Sequence, residues 1–549
     1  MLNKNAGPRT WRPLLSLLAA LLLLNSMLTF HNLWPTPYVH WVGELSIDLA
    51  CVVLLLVVWR RFVSTPPRAL LVTLAVLFVI GTIGRYAAVT AQALYGREVN
   101  LFWDLPHVSS LVGMLVHAVS IWLLLAIVFG TVALLALLYY VSMWCVRSVV
   151  AGIEVPQVNA VFGIVAIGVI CWFTLQQKDD RLKDYYPRFS IPVTQAYASQ
   201  VVRSVEAFTG SGAVAELPRS PAFTSTLASI QGSDVMVVFL ESYGRVNYDR
   251  AEFFQTLAGV RSEVADAAHA TGRTIVSGFV SSPTFGGGSW MAHLSFMSGI
   301  EIRDPARGQL LMTQRRDTIV SEFNRHGYRT VALMPGLKNT WPEGRFYRFN
   351  QVYDDASLNY NGPAFGWWRI PDQFSLAQLD AVESAPHADG SPRRPLFTVF
   401  PTISMHTPFR PTPPYQPDWS RLMSATPFDS APLQQSLVAL PEWDNMSTSY
   451  VGAVTYSLQT LAGYLHQRAN RDLTLVVLGD HQPPAMVSGE EASWDVPVHI
   501  ITSKPAVLEA LRARGFVDGM VPAAETLGPM HELAPTLMAV FESEEKTAS

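Results

Sequence analysis

Leu475-Val476-Val477-Leu478-Gly479-Asp480-His481 is a short apolar run that ends in a carboxylate beside an imidazole. Its length and its leucines and valines predict a buried strand, and the glycine lets the backbone turn sharply at its end. Asp480 and His481 are then expected at the carboxyl edge of a sheet, where open α/β folds place their ligands. A carboxylate oxygen next to an imidazole nitrogen suits Zn or Mn. A second apolar run far upstream, 235–240, ends in the same way at Glu241. A carboxylate at a strand tip beside a turn is well placed as a metal ligand, although a lone turn glutamate is more often just solvated.

Around these two runs the pattern alternates. Strands are expected at 234–240, 274–280, 329–334, 396–401, 473–478 and 496–502. Helices are expected at 250–270, 289–297, 317–326, 371–382, 447–470, 505–514 and 531–541. Such alternation predicts an α/β domain with a mostly parallel central sheet over 233–549.

Two further stretches carry chemistry. Ser282-Pro283-Thr284-Phe285-Gly286-Gly287-Gly288-Ser289-Trp290-Met291-Ala292 is a glycine-rich loop entering an apolar helix. Ser289 suits the N-cap of that helix. A helix N-terminus attracts anions, and a hydroxyl activated there by a metal can attack phosphorus. Thr284 is the alternative nucleophile and Ser295 a lesser one. The strand at 396–401 leads into Thr402-Ile403-Ser404-Met405-His406-Thr407-Pro408-Phe409. There His406 can bind a phosphoryl oxygen or protonate a leaving group. Three strand ends and one hydroxyl loop thus lie in an order that permits a single site.

The chain has 549 residues, 50% of them hydrophobic and only 15% charged. The apolar surplus lies in the first third, with candidate spans at 13–30, 42–59, 69–84, 111–144 and 158–175. Most approach the roughly 20 apolar residues that cross a bilayer. Further spans follow the first, which argues against a cleaved signal. The run 111–144 exceeds the bilayer core as one helix. No Pro or Asn-Gly turn interrupts it, so it reads as one long helix leaving the membrane; two spans there would put the carboxyl domain in the cytoplasm.

Lys4, Arg9 and Arg12 precede the first span, Arg60, Arg61 and Arg68 lie between the second and third, and Arg147 lies between the fourth and fifth. This bias places the amino terminus in the cytoplasm and the carboxyl portion outside. Glu44, Asp48 and His117 fall in or near spans; the acids are expected at the outer interface and the histidine packed between helices. The expected organisation is a transmembrane domain of about five helices over 1–176, a juxtamembrane connector over 177–232 and an extracytoplasmic catalytic domain over 233–549. Cys51, Cys145 and Cys171 all fall in or beside spans, so the outer domain has no disulfide and no thiolate metal site. Net charge is −4, with no strong basic run outside, and nucleic acid is not a suggested partner.

With Glu241, Ser289, His406 and Asp480-His481 in this order, the outer domain resembles the alkaline phosphatase superfamily. More narrowly, it is similar to sulfatase-like, membrane-anchored phosphoglycerol transferases of the lipoteichoic acid synthase and periplasmic glucan phosphoglycerol transferase type. The resemblance implies a sulfatase-like fold and one divalent metal, Mn first, with Zn or Mg as alternatives. Glu241, Asp480, His481 and the nucleophile Ser289 would be its ligands, and His406 would hold the substrate phosphate or leaving group. Lys338-Asn339-Thr340-Trp341 with Arg345 resembles the family's head-group segment, which implies Trp341 and Arg345 as substrate contacts. Trp367-Trp368-Arg369-Ile370-Pro371-Asp372 resembles its Trp-Gly-x-x-Asp segment. The sequence departs from the family in holding Ser where Thr is usual, and in its displaced arginine.

The implied reaction is transfer of phosphoglycerol from a membrane phospholipid to a glycan or lipid-linked acceptor, in the inner membrane of a bacterium, with the catalytic domain periplasmic. Phosphoethanolamine transfer, a tethered phosphodiesterase or phosphatase, and a non-catalytic assembly protein are the alternatives. The Arg of a formylglycine motif is missing after Ser281-Ser282-Pro283-Thr284-Phe285, which disfavours a sulfatase proper. The absence of cysteine outside disfavours phosphoethanolamine transfer.

Overall fold

A computed structural model describes residues 11–542 except 35, 64–65, 96–97, 106–107, 110–111, 114–115, 117–119, 184, 210–216, 339–340, 342–343, 385–392, 440–441 and 443–444. The chain forms two compact units, one made of residues 1–93 and 98–212, the other of 94–97 and 213–549.

The first unit is helical: α1 (Trp11–Thr29), α2 (Ile47–Phe62), α3 (Arg68–Tyr95), α4 (Ile121–Ile153), α5 (Pro156–Lys178) and α6 (Val193–Thr209). Among the described residues three helices, in α3, α4 and α5, are long and apolar enough to cross a membrane. The first two expected spans fall on the shorter α1 and α2. Helix α2 is set by its ends: Ser46 caps it by accepting from the Leu49 amide, Asp48 lies in its first turn, and Arg60 and Arg61 lie in its last. Ser120 caps α4 in the same way, so this helix starts at Ile121 and continues through Arg147 to Ile153 as one piece. Its 33 residues span about 50 Å. His117 and much of 110–119 lie outside the described residues. Glu44 faces His31, whose Nε2 is 3.0 Å from its carboxylate. Asp48 accepts from the Val193 amide at 2.7 Å.

Among the described residues of the second unit, nine strands form one sheet. They are β1 (Asp234–Leu240), β2 (Thr274–Ser281), β3 (Arg329–Met334), β4 (Gln351–Asp354), β5 (Leu396–Pro401), β6 (Leu473–Gly479), β7 (Asp495–Thr502), β8 (Val517–Asp518) and β9 (Thr526–Pro529). The order is β8-β2-β7-β6-β1-β5-β3-β4, with β9 beside β2. The block β6-β1-β5-β3-β4 is parallel throughout. Strand β7 runs antiparallel to both of its neighbours, so the sheet is mixed but mostly parallel, as the alternation predicts. The six expected strands all form; the short β4, β8 and β9 were not foreseen.

Every residue of β1 and of β6 is buried, as expected for strands covered on both faces. Odd and even positions separate into two cores. Met236, Val238, Leu240, Leu475 and Val477 join one cluster with helix α7 (Ala258–Ala270) and Tyr450, Val454 and Leu458. Val235, Val237, Phe239, Val476 and Leu478 join the other with Leu294 and Leu537. Each such side chain gains about 1.5–3 kcal/mol on burial, which fixes the two strands side by side. The helix expected at 250–270 is broken at Leu257, which is buried at the join between Ala251–Thr256 and α7.

Candidate active site

Register decides the site. Leu240 of β1 pairs with Gly479 of β6, so Glu241 and Asp480 follow at adjacent strand ends. On the other side of β1, Phe239 pairs with Pro401 of β5, and the next segment carries His406. The packing at this edge leaves no room for side chains. A Cβ on Gly479 would lie 1.8 Å from the Tyr243 carbonyl oxygen, and one on Gly244 would lie 2.8 Å from the Gln482 Cα. Gly479 is therefore required by close backbone approach, not by the sharp turn the sequence suggests; its φ is not positive.

Ser242 has φ 57°, a left-handed conformation that costs a non-glycine residue about 1–2 kcal/mol. It is held at both ends: its amide donates to Asp480 Oδ1 at 2.8 Å, and its carbonyl accepts from Tyr450 Oη at 2.9 Å. The His481 amide also donates to Asp480 Oδ1, at 2.7 Å. That oxygen is thereby saturated, while Oδ2 is buried with no hydrogen-bond partner among the described residues. The Glu241 amide donates to Thr402 Oγ1 at 3.0 Å, which ties β1 to the His406 segment.

The glycine loop enters from the other face. Gly286, Gly287 and Gly288 all have positive φ. Gly288 occupies the cap position, and α8 (Ser289–Ser298) begins at Ser289, whose side chain makes no capping bond. The expectation that Ser289 caps this helix is corrected. Its hydroxyl donates to Glu241 Oε2 at 2.9 Å and lies 3.0 Å from His481 Nε2. His481 Nδ1 is 2.7 Å from the Gln482 carbonyl, which fixes the proton on Nδ1 and leaves Nε2 facing Glu241 and Ser289.

The group Glu241, Asp480 and His481 is buried, with its ligand atoms all within 4.8 Å of one another. His481 Nε2 is 3.4 Å from Glu241 Oε1 and 3.8 Å from Asp480 Oδ1. Bonds of about 2.0–2.2 Å to a tetrahedral ion place its ligand atoms about 3.3–3.6 Å apart. The Glu241–His481 separation falls in this range and the Asp480 Oδ1 separation lies slightly outside it; with the orphaned Asp480 Oδ2 as a further donor atom, the set suits one divalent ion. Electrostatics agree. Burial alone would push the Glu241 carboxyl up, but the hydrogen bond and charge of His481 hold it well below the usual carboxylate range. Burial, and then the charge of Glu241, push Asp480 up. Burial works against the His481 imidazolium, yet Asp480 and Glu241 together raise its pKa to about 9.

Thr284 is buried and its hydroxyl bonds to none of these ligands. Ser295 is occupied, donating to the Met291 carbonyl and accepting from the Ile302 amide. His406 Nδ1 is 2.8 Å from the Thr407 carbonyl, which leaves Nε2 available, and His406 lies within electrostatic range of Glu241. Its ring centroid is 5.0 Å from that of Trp368.

Trp341 and Arg345 are not brought to this centre by any contact among the described residues. Trp341 packs against Tyr347 and Phe349, and Arg345 is exposed in a short helix. Asn339 and Thr340 lie outside the described residues. His499 is hydrogen-bonded to Ser277 Oγ at 2.6 Å, and burial pushes its pKa down to about 3.

Of two further residues of this centre, Asp372 was quoted from the sequence without a role and His293 escaped the reading. Asp372, on α9 (Asp372–Glu383), accepts the Ile403 and Ser404 amides at 2.9 Å each and so anchors the segment that carries His406. Burial raises its pKa to about 6. His293 Nε2 lies 3.8 Å from the orphaned Asp480 Oδ2. The available signal was spacing: His293 stands four residues after Ser289 on one helix, and so on the same face.

Residues 292–521 match the sequence profile of the sulfatase family, a stretch that takes in His406, Asp480 and His481. Residues 292–521 therefore carry the sulfatase-family pattern. Among solved structures, the sulfatase domain is similar to the lipoteichoic acid synthase LtaP from Listeria monocytogenes, with 12% identity over 60% of this chain and 77% of that one, at a TM-score of 0.39. It is also similar to the Streptococcus pyogenes phosphoglycerol transferase GacH in complex with sn-glycerol-1-phosphate, with 11% identity over 58% and 86% of the two chains, at a TM-score of 0.33. The C-terminal periplasmic domain of EptC from Escherichia coli, in complex with Zn, matches with 15% identity over 53% and 77%, at a TM-score of 0.32. Comparison with curated proteins gave no match.

Proposed function

We propose that this protein is a membrane-anchored phosphotransferase. In this reading it moves a phosphoglycerol head group from a membrane phospholipid to a glycan or lipid-linked acceptor by way of a covalent Ser289 intermediate. The observation that carries the reading is the position of Ser289 Oγ, at the start of α8 and within 3.0 Å of both Glu241 and His481. A hydroxyl so placed is set for nucleophilic attack on an anionic phosphodiester drawn to a helix N-terminus.

Glu241, Asp480 and His481 would hold a divalent ion, Mn in preference to Zn or Mg, with Ser289 as the fourth donor. Such an ion, when bound, lowers the pKa of the hydroxyl and offsets charge on the phosphoryl oxygens. The chain's own residues do the rest. Glu241 Oε2, which accepts the Ser289 proton at 2.9 Å, orients the hydroxyl and is the proton's first stop. The Ser289 Oγ–P bond forms as the bond from phosphorus to the diacylglycerol oxygen breaks. His406 Nε2, free because Nδ1 is engaged by Thr407, hands a proton to that leaving oxygen. An acceptor hydroxyl then attacks phosphorus and gives its proton to His406 Nε2, while the bond from phosphorus to Ser289 Oγ breaks and Ser289 Oγ recovers its proton from Glu241. The apolar helices of the same chain are suited to an enzyme that draws its donor from a bilayer, and the basic residues flanking them favour a periplasmic catalytic domain.

Incubation with head-group-labelled phosphatidylglycerol, with and without a glucan acceptor, tests the reading. Label is expected to appear on the acceptor only when acceptor is present. Acceptor-independent release of glycerophosphate would establish a phosphodiesterase instead, and transfer from phosphatidylethanolamine alone would change the head group.

A further inference from the structure

Asp480 faces His293, a residue that the proposed chemistry leaves unused. Asp480 Oδ1 already accepts two amides, from Ser242 and His481. Its other oxygen, Oδ2, and His293 Nε2 are both buried and both without a hydrogen-bond partner among the described residues. They face each other at 3.8 Å, with side-chain exposures of 1% and 12%. Two complementary buried groups left unpaired cost about 1–3 kcal/mol each, a penalty that a native site relieves when its ligand is in place. At 3.8 Å the two do not yet form a hydrogen bond; a closure of under about 1 Å makes one.

The sequence puts His293 there for a reason. It follows Ser289 by one helical turn on α8, so the same face that presents the hydroxyl to Glu241 presents the imidazole to Asp480. Its ring is steadied by Phe239 of β1, with centroids 4.3 Å apart. One helix thus touches both carboxylates of the metal-binding group, through Ser289 on Glu241 and through His293 on Asp480.

We propose that His293 is a positioning residue of this centre. Its Nε2–H donates to Asp480 Oδ2, orients that carboxylate as a ligand, and couples the seating of α8 to metal occupancy. The inference rests on the metal-binding reading of Glu241, Asp480 and His481. Ligating carboxylates are commonly held by such outer partners, whose loss costs about 10–100-fold in metal affinity.

The test is Mn(II) binding to the full chain in detergent micelles, measured by calorimetry for wild type, His293→Ala and His293→Gln. It is accompanied by pulsed EPR counting of nitrogen donors bound directly to Mn(II), and by metal-free melting curves to confirm folding. His293→Ala is expected to weaken Mn(II) binding about 10–100-fold, and His293→Gln, which restores an N–H donor, to recover part of the loss. The count of directly bound nitrogens is expected to stay at one, from His481, in all three proteins. Equal affinity in wild type and His293→Ala would overturn the proposal. So would a nitrogen count that falls from two to one on substitution, because His293 would then be a ligand. If wild type itself binds no Mn(II), the metal-binding reading fails first, an outcome distinct from wild type and variant binding equally well.

Discussion

Ser289 departs from the role its position in the sequence suggests. Gly288, left-handed at φ 78°, takes over the cap position and frees the hydroxyl to turn toward Glu241 and His481. Ser289→Ala is therefore expected to reduce transfer by about 10⁴-fold or more, as loss of a nucleophile does. Thr284→Ala is expected to retain most activity, since that hydroxyl touches none of the ligands. Comparable losses in the two variants, measured as initial rates of label transfer, would contradict the assignment.

Gly479 gives a second residue-scale prediction. A Cβ 1.8 Å from the Tyr243 carbonyl cannot be absorbed by a side-chain rotation. Gly479→Ala is expected to lower the metal-free melting temperature and to weaken metal binding together; an unchanged melting curve would refute the close-approach account. His481 sets the pH dependence. Its folded pKa of about 9 lies above the ordinary value near 6.5. Its contribution to metal-free stability is thus fully present below about 6.5 and is lost as pH rises through 9. Because an ion must displace the same proton, apparent metal affinity is expected to rise about tenfold per pH unit toward pH 9 and then level off. Calorimetry in buffers of different ionisation enthalpy counts the released proton. A flat affinity from pH 7 to 9 would show that His481 is already neutral.

At the scale of elements, much was legible because parallel strands buried on both faces write themselves as continuous apolar runs. β1, β5 and β6 were read correctly, and the acids at their tips followed. What the runs do not carry is neighbour order. That β1 lies between β5 and β6, which alone brings Glu241, His406 and Asp480 to one edge, depends on register across the sheet. The antiparallel course of β7 and the short β4, β8 and β9 were likewise invisible, since a few residues carry no period. The surroundings of Trp341 were invisible for a related reason. Its packing against Tyr347 and Phe349 is a tertiary contact that the sequence around it does not show.

Asp372 is an element-scale anchor whose role the sequence did not show. Asp372→Ala leaves the Ile403 and Ser404 amides unpaired, at about 1–3 kcal/mol each if they stay buried, and loosens the segment that holds His406. Its expected signature is a lower melting temperature and a fall in kcat with metal affinity unchanged. Loss of metal binding in this variant would mean that the His406 segment and the metal ligands are one cooperative unit.

For the molecule as a whole, the division into an apolar helical unit and an α/β unit was legible from composition alone. The three long apolar helices and the sulfatase-like sheet agree with it. The boundary of the fourth helix was not legible, because the uniformly apolar run hides the Ser120 cap that starts it. The proposed function joins the two units: an anchored chain with a nucleophile suited to phosphodiesters. The measurement that tests this most directly is mass spectrometry of the Ser289 peptide after the full chain is incubated with Mn(II) and phosphatidylglycerol vesicles, without acceptor. The account predicts an adduct with the mass of a glycerophosphoryl group on Ser289, lost when acceptor is added. An adduct on Thr284, or turnover of the lipid with Ser289 unmodified in wild type and activity retained in Ser289→Ala, would contradict it.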